Sequence, residues 1–288
     1  MKKIVLFLLL ASIAPAQNIN NFADAVKYYS VLKVREYLKS GADPNILVDG
    51  DPAICYVARV EGVTTSAIFD DLLNDGANPN SIGKDGNSLL SISMSKFNYK
   101  QATELIKRDA DLNFKNKGTL PAPLIMAVAG KRNWPKSDIF PNLIKFMIEN
   151  KADVNIQDSY KTTPLMMVIG ANDFEWVKFF LDNKSDPNLK DLAGETPLMI
   201  ASERGQTETV KALLDHGADP NILPGNKETA LMRAAQNGYK EVVIMLLEKG
   251  AKTNFQNTYH ETALRLAQLK GHKEIVEILK KAGAKNKQ

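Results

Sequence analysis

Thr196-Pro197-Leu198-Met199-Ile200-Ala201 and, after a short polar stretch, Gly217-Ala218-Asp219-Pro220-Asn221 bracket the segment whose reading decides the fold. Thr196 has the hydroxyl of a helix N-cap, and Pro197 stands at the first helical position, where a missing N–H costs nothing. Leu198, Ala201 and Ser202 follow on one side of a first helix that ends at Gly205. A second helix is predicted from about Thr207 to His216, with Val210, Leu213 and Leu214 at helical spacing. Gly217 ends it in a left-handed conformation, and Asp219 and Asn221 are expected to bond their own backbone in the turn that follows.

The closing asparagine recurs as Asn45, Asn80, Asn113, Asn155, Asn188, Asn221 and Asn254, with Lys287 in the eighth place. The spacings are 35, 33, 42, 33, 33, 33 and 33 residues. A period of 33 kept four times running means one supersecondary unit stacked on itself. Such a stack offers a long surface, which suits holding another macromolecule.

Thr-Pro-Leu-x-x-Ala, followed by Gly-x-x-Glu-x-Val-x-x-Leu-Leu-x-x-Gly-Ala-Asp-x-Asn, resembles the ankyrin repeat. The first half recurs at Thr163-Pro164-Leu165, Thr229-Ala230-Leu231 and Thr262-Ala263-Leu264, and in weaker form at Ala122-Pro123-Leu124 and Ser88-Leu89-Leu90. The second half is sharpest at Gly271-His272-Lys273-Glu274-Ile275-Val276-Glu277-Ile278-Leu279. The resemblance implies an all-α solenoid of about eight helix–turn–helix units joined by β-hairpin-like turns. The units fall at 17–45, 46–80, 81–113, 114–155, 156–188, 189–221, 222–254 and 255–287, one repeat domain over 17–288.

The departures carry expectations of their own. The first unit lacks Thr-Pro-Leu and reads as a polar cap. The second has two extra residues between its helices, near Val63 to Ser66, and the fourth has about nine within 131–141. Pro135 and Pro141 are expected to keep that insertion from extending either helix. Helix-ending glycine is replaced by Asp109, Lys151 and Lys184. Each replacement costs up to about 1 kcal/mol if the left-handed turn is kept, which makes units three to five the softer part of the stack.

The start of the chain reads as an export leader over residues 1–16. Lys2 and Lys3 precede an apolar run from Ile4 to Ala14, and Ala14-Pro15-Ala16 is a small-x-small cleavage site. The run is too short to span a bilayer, so no membrane span is expected once it is removed. The formal net charge of +4 falls to about +2 without the two lysines. No clustered basic face with interleaved aromatics is present, which argues against nucleic acid as the partner. Cys55 is the only cysteine and takes the place of Leu165, Leu198, Leu231 and Leu264, so it reads as a buried small hydrophobe.

Metal, cofactor and enzyme signatures are missing from the sequence. The three histidines, His216, His260 and His272, have ordinary places in the repeat, with His260 where the hairpin turn usually has glycine. No Cys-x-x-Cys, His-Glu-x-x-His, Gly-x-Ser-x-Gly or phosphate-cradling glycine loop occurs. The expectation is no cofactor and no catalytic residues.

In stacks of this kind, contacts to a partner come from the hairpin tips and first helices, which form a concave face. Carrying the register over gives Glu195, Glu228 and Glu261 as an acidic row before the helix caps. They either favour the helix dipole or recognise a basic partner. Tyr160, Ala193, Asn226 and Tyr259 align at the tips, and the two tyrosines are the better interface candidates. Met166, Met199 and Met232, with Arg265, form a column that either fills gaps between helices or makes an adaptable apolar stripe. Arg233 is a further candidate, whereas Trp176 falls at a core position. In the insertion, Trp134 is the natural anchor, with Phe140 beside it, unless that segment folds back onto its own stack.

The chain therefore reads as an exported, monomeric binder of another protein. It is expected in the periplasm or outside the cell, as an inhibitor or immunity protein of a secreted or periplasmic enzyme. An accessory role in envelope stress or peroxide defence is the alternative, and an enzyme the outlying one. Exported protein is expected to begin at Gln17; an intact mass that retains residues 1–16 would contradict the leader.

Overall fold

The computed structural model describes residues 20–133 and 139–285. The leader expected over 1–16, Trp134 with Pro135, and Lys287 lie outside the described residues. The chain divides into two compact units, 20–111 with 116–120, and 112–115 with 121–285.

The first unit holds α1 (Phe22–Lys27), α2 (Val31–Lys39), a two-stranded hairpin of β1 (Leu47–Val48) and β2 (Asp51–Pro52), α3 (Ala53–Ala58), α4 (Val63–Asn74), α5 (Leu89–Ser95) and α6 (Tyr99–Lys107). The hairpin is antiparallel, with Leu47 opposite Pro52 and Val48 opposite Asp51. Helices α1, α3 and α5 pack in one row, and α2 packs on α4. The capping unit still contributes apolar surface, since Phe22, Ala25, Val26, Val34 and Leu38 are buried.

The second unit holds α7 (Pro123–Asn133), α8 (Ile139–Glu149), α9 (Pro164–Gly170), α10 (Phe174–Asp182), α11 (Pro197–Glu203), α12 (Thr207–Asp215), α13 (Ala230–Asn237), α14 (Lys240–Glu248), α15 (Ala263–Lys270) and α16 (Lys273–Lys281). First helices α7, α9, α11, α13 and α15 pack in sequence as one layer, and second helices α10, α12, α14 and α16 as another. Sixteen helices in eight pairs among the described residues make an all-α repeat solenoid.

Local chemistry sets each pair. Thr163, Thr196, Thr229 and Thr262 are extended N-caps whose hydroxyls accept from the N–H groups of Met166, Met199, Met232 and Arg265. Ser88 does the same for Ser91. Where glycine is lost the left-handed turn is nonetheless kept: Asp109, Lys151 and Lys184 have φ of 58°, 69° and 67°. His260 likewise holds φ 61° at a hairpin tip.

The recurring asparagine bonds the next repeat and not the backbone of its own turn; Asn45 also touches its own turn, donating through Nδ2 to Asp43 Oδ1 at 3.3 Å. Asn221 Oδ1 accepts from Lys252 N at 2.8 Å, while its Nδ2 donates to Gly250 O at 3.0 Å, both in the next repeat. Asn188 makes the same pair with Asp219 N and Gly217 O, and Asn113 with Asp153 N and Lys151 O. In the first unit Asn45 reaches Asn78 N and Gly76 O, and Asn80 reaches Asp111 N and Asp109 O. The residue two places earlier closes the turn locally, as in Asp219 Oδ1 accepting from Asn221 N at 2.8 Å and Asn78 Oδ1 accepting from Asn80 N at 2.9 Å.

Two insertions also differ from expectation. Val63 to Ser66 are not loop; they form the first turn of α4, which has 12 residues where the second helices after α8 have 9. In the fourth pair both helices lengthen to 11 residues, and Pro141 sits inside the first turn of α8. Proline is tolerated there because the first-turn N–H groups lack helical partners.

Asn188→Ala removes two bonds between neighbouring repeats, so it is expected to destabilise by about 1–2 kcal/mol. Denaturant unfolding measures the loss, and hydrogen exchange should quicken at the Asp219 amide first.

Candidate functional site

Successive hairpin tips in the second unit are joined by backbone bonds. Asp158 and Asp191 close their turns by accepting, through Oδ1, from the N–H groups two and four residues on, Tyr160 with Thr162 and Ala193 with Glu195. Asn257 does the same for Tyr259 and Glu261. Leu192 N then donates to Tyr160 O at 2.8 Å, Gly225 N to Ala193 O at 3.3 Å, and Thr258 N to Asn226 O at 3.2 Å. The result is a continuous polypeptide edge across four repeats. Tyr160 and Tyr259 stand out from it, 69% and 78% exposed, and Leu192 between them is 65% exposed.

Leu192 was missed in the sequence reading. Its signal was an apolar residue in a column otherwise filled by Ser159, Gly225 and Thr258. Asn226 is exposed at the same edge, where its Nδ2 donates to Glu228 Oε2 at 3.1 Å. Glu261 is paired similarly with Asn257 Nδ2.

Behind the tips, a groove of about 410 Å³ opens against α9 and α11. Met167 and Ile200 give it apolar walls, and Asp158, Asp191, Glu195 and Glu203 carry carboxylates into it. Arg204 also lines it, with Nη1 donating to Gly170 O at 2.9 Å.

Two candidates are buried and a third is held in an ion pair. Arg233 is 5% exposed: Nη2 pairs with Glu195 and Nη1 with Glu203 at 2.6 Å, so it braces the groove wall instead of meeting a partner. Glu195 is correspondingly engaged within the fold, and its acidic row is not a uniform free surface. Phe140 is 3% exposed, because α8 turns its ring against Gly130 of α7, where even a methyl group would come within 2.1 Å of it. The described part of the insertion folds back onto its own stack in this way. Lys131 pairs with Asp173, and its ammonium lies 5.3 Å from the centre of the Trp176 ring. Trp176 is core, packed on Phe179 and Phe180.

Met166, Met199 and Met232 are buried, with Met166 also lining the groove, while Arg265 is exposed. Cys55 is fully buried, and burial pushes its thiol up to about 12, so it stays protonated and unreactive. His216 and His272 bond the carbonyls of Ala212 and Gln236. Among the described residues, no three His, Cys, Asp or Glu side chains come together to hold a metal, and no helix is long and apolar enough to cross a membrane.

Paired helices stacked by repeat, with a bonded row of tips beside a groove, define a repeat protein built for binding. Residues 136–224 and 223–288 match the family described as ankyrin repeats (3 copies), and the chain belongs to that family. No curated protein matches the chain significantly. The ankyrin repeat is a protein–protein interaction module.

Phe140→Ala is expected to cost about 3–5 kcal/mol, the range for emptying a filled aromatic site. Arg233→Leu, which copies Leu266 one repeat on, should leave the melting temperature unchanged or raise it, since Glu195 and Glu203 retain access to water. Thermal melts of the two variants check both.

Proposed function

We propose that this protein is exported and binds another protein through its hairpin edge and first helices, acting as an inhibitor or immunity protein of a secreted or periplasmic enzyme. One observation carries the reading: four tips tied by backbone bonds hold Tyr160, Leu192 and Tyr259 outward on a pre-ordered edge. Their side chains bury little within the stack, so folding does not account for their size. Aromatic anchors on an ordered backbone lose little entropy on binding, which favours affinity. The leader pattern at residues 1–16 supports export, and covering an enzyme's active site needs a long ordered surface of this kind.

Capture of partners from an envelope extract tests the reading. Tyr160→Ala with Tyr259→Ala is expected to weaken capture by about 2 kcal/mol or more, with the melting temperature unchanged. A captured enzyme should lose activity when the protein is added in excess. Retained capture by the double variant would overturn the edge as the binding surface, and a captured enzyme that stays fully active would overturn inhibition.

A further inference from the structure

Resting on the interaction reading above, we propose that the groove behind the tips receives a lysine or arginine side chain from the partner's docking loop. The groove combines apolar walls, Met167 and Ile200, with four carboxylates and one guanidinium, that of Arg204, while the buried Arg233 pairs with two of the carboxylates, Glu195 and Glu203. An aliphatic stem ending in a cation matches that lining, because its methylenes meet the walls while its charge meets the rim.

Two observations indicate that the charge serves something besides the fold. The first concerns Asp158 and Asp191. Folding uses only their Oδ1 atoms, which hold the turns; each Oδ2 accepts nothing among the described residues. In the same register, neutral Asn257 closes its tip with the same two bonds. A carboxamide therefore satisfies the turn, and the negative charge at 158 and 191 is surplus to it.

The second is Arg233. Its register neighbours are Met167, Ile200 and Leu266, so an apolar side chain fills this place elsewhere. Arg233 is instead a guanidinium more than nine-tenths buried, whose Nε has no hydrogen-bond partner. Burying that group is unfavourable for the fold. Its two Nη groups donate to Glu203 and Glu195, which line the groove, and this orders those carboxylates before a ligand arrives. Lys190, at the same tip, turns its ammonium to the Leu223 carbonyl.

The test is an NMR titration of the isotope-labelled full chain with a blocked pentapeptide of arginine between leucines, against the same peptide with glutamine for arginine. The arginine peptide is expected to bind about tenfold or more tighter, as charge-assisted bonds do, and less tightly as salt rises. It should shift the amides of residues 158, 191 and 195. Asp158→Asn with Asp191→Asn keeps both turns and should abolish the preference for arginine, with an unchanged melt confirming the fold. Equal affinity for both peptides, shifts away from the groove, or a preference that survives the double variant would overturn the proposal. Partner capture that persists in the Asn variant but fails in the Tyr160→Ala, Tyr259→Ala variant overturns the cation groove and leaves the interaction reading standing. Arginine binding as expected, with no protein captured, does the reverse.

Discussion

The side chain of one asparagine per repeat, reaching over to the backbone of the next, is the constraint on which the stack depends. A helix pair of this size buries too little apolar surface to be stable alone, so each repeat needs its neighbours in a defined register. Asn188 supplies that register with one acceptor and one donor, to Asp219 N and Gly217 O. Both belong to the turn that ends a helix, where backbone groups lack helical partners. Shifting the next repeat by one residue would orphan both. The bonds are exposed, and each contributes on the order of 1 kcal/mol at most; their value lies in choosing one stacking geometry.

Around that ladder, helix boundaries follow from local rules that tolerate substitution unevenly. A hydroxyl at the cap is kept in the first helices of the last four repeats, where its oxygen accepts from the N3 amide. The left-handed residue after the second helix is less strict. Lys151 and Lys184 adopt it, since the bonds their turns make to the preceding helix outweigh a strain of about 1 kcal/mol. Insertions are absorbed by lengthening helices, as in α4, α7 and α8, which leaves the turn geometry and the ladder intact.

Charge beside the hairpin tips of the second unit is arranged differently from charge elsewhere. The exposed pairs Lys249–Asp215 and Lys240–Glu274 link neighbouring second helices and contribute little. The Arg59 guanidinium between Asp51 and Asp85 is a tighter device: it holds the Asp85 carboxyl well below the usual carboxylate range and anchors the hairpin tip of the first unit. Around the groove of the second unit, by contrast, an arginine is buried with one donor unmet while two aspartate oxygens remain open. The proposed cation site rests on that inversion.

Much of this was legible in the residues. Period, caps, turn glycines and the core places of Trp176 and Cys55 depend on neighbours within about four residues or on repeat register, and register can be counted. Exposed Tyr160 and Tyr259 were found the same way, as large rings at turn positions. The bonds of Asn221 could not be read, because an asparagine after Asp-Pro offers the same atoms to its own turn as to the next repeat. Nor could the fates of Arg233 and Phe140. A lone arginine on a helix and a phenylalanine beside an insertion can face either way, and only the packed neighbours, Glu195 and Glu203 in one case and Gly130 in the other, turn them inward. Sequence determined the repeat and its local geometry because those are short-range; tertiary structure alone decided which charges are spent inside the stack and which remain open, because that depends on atoms 30 and more residues away.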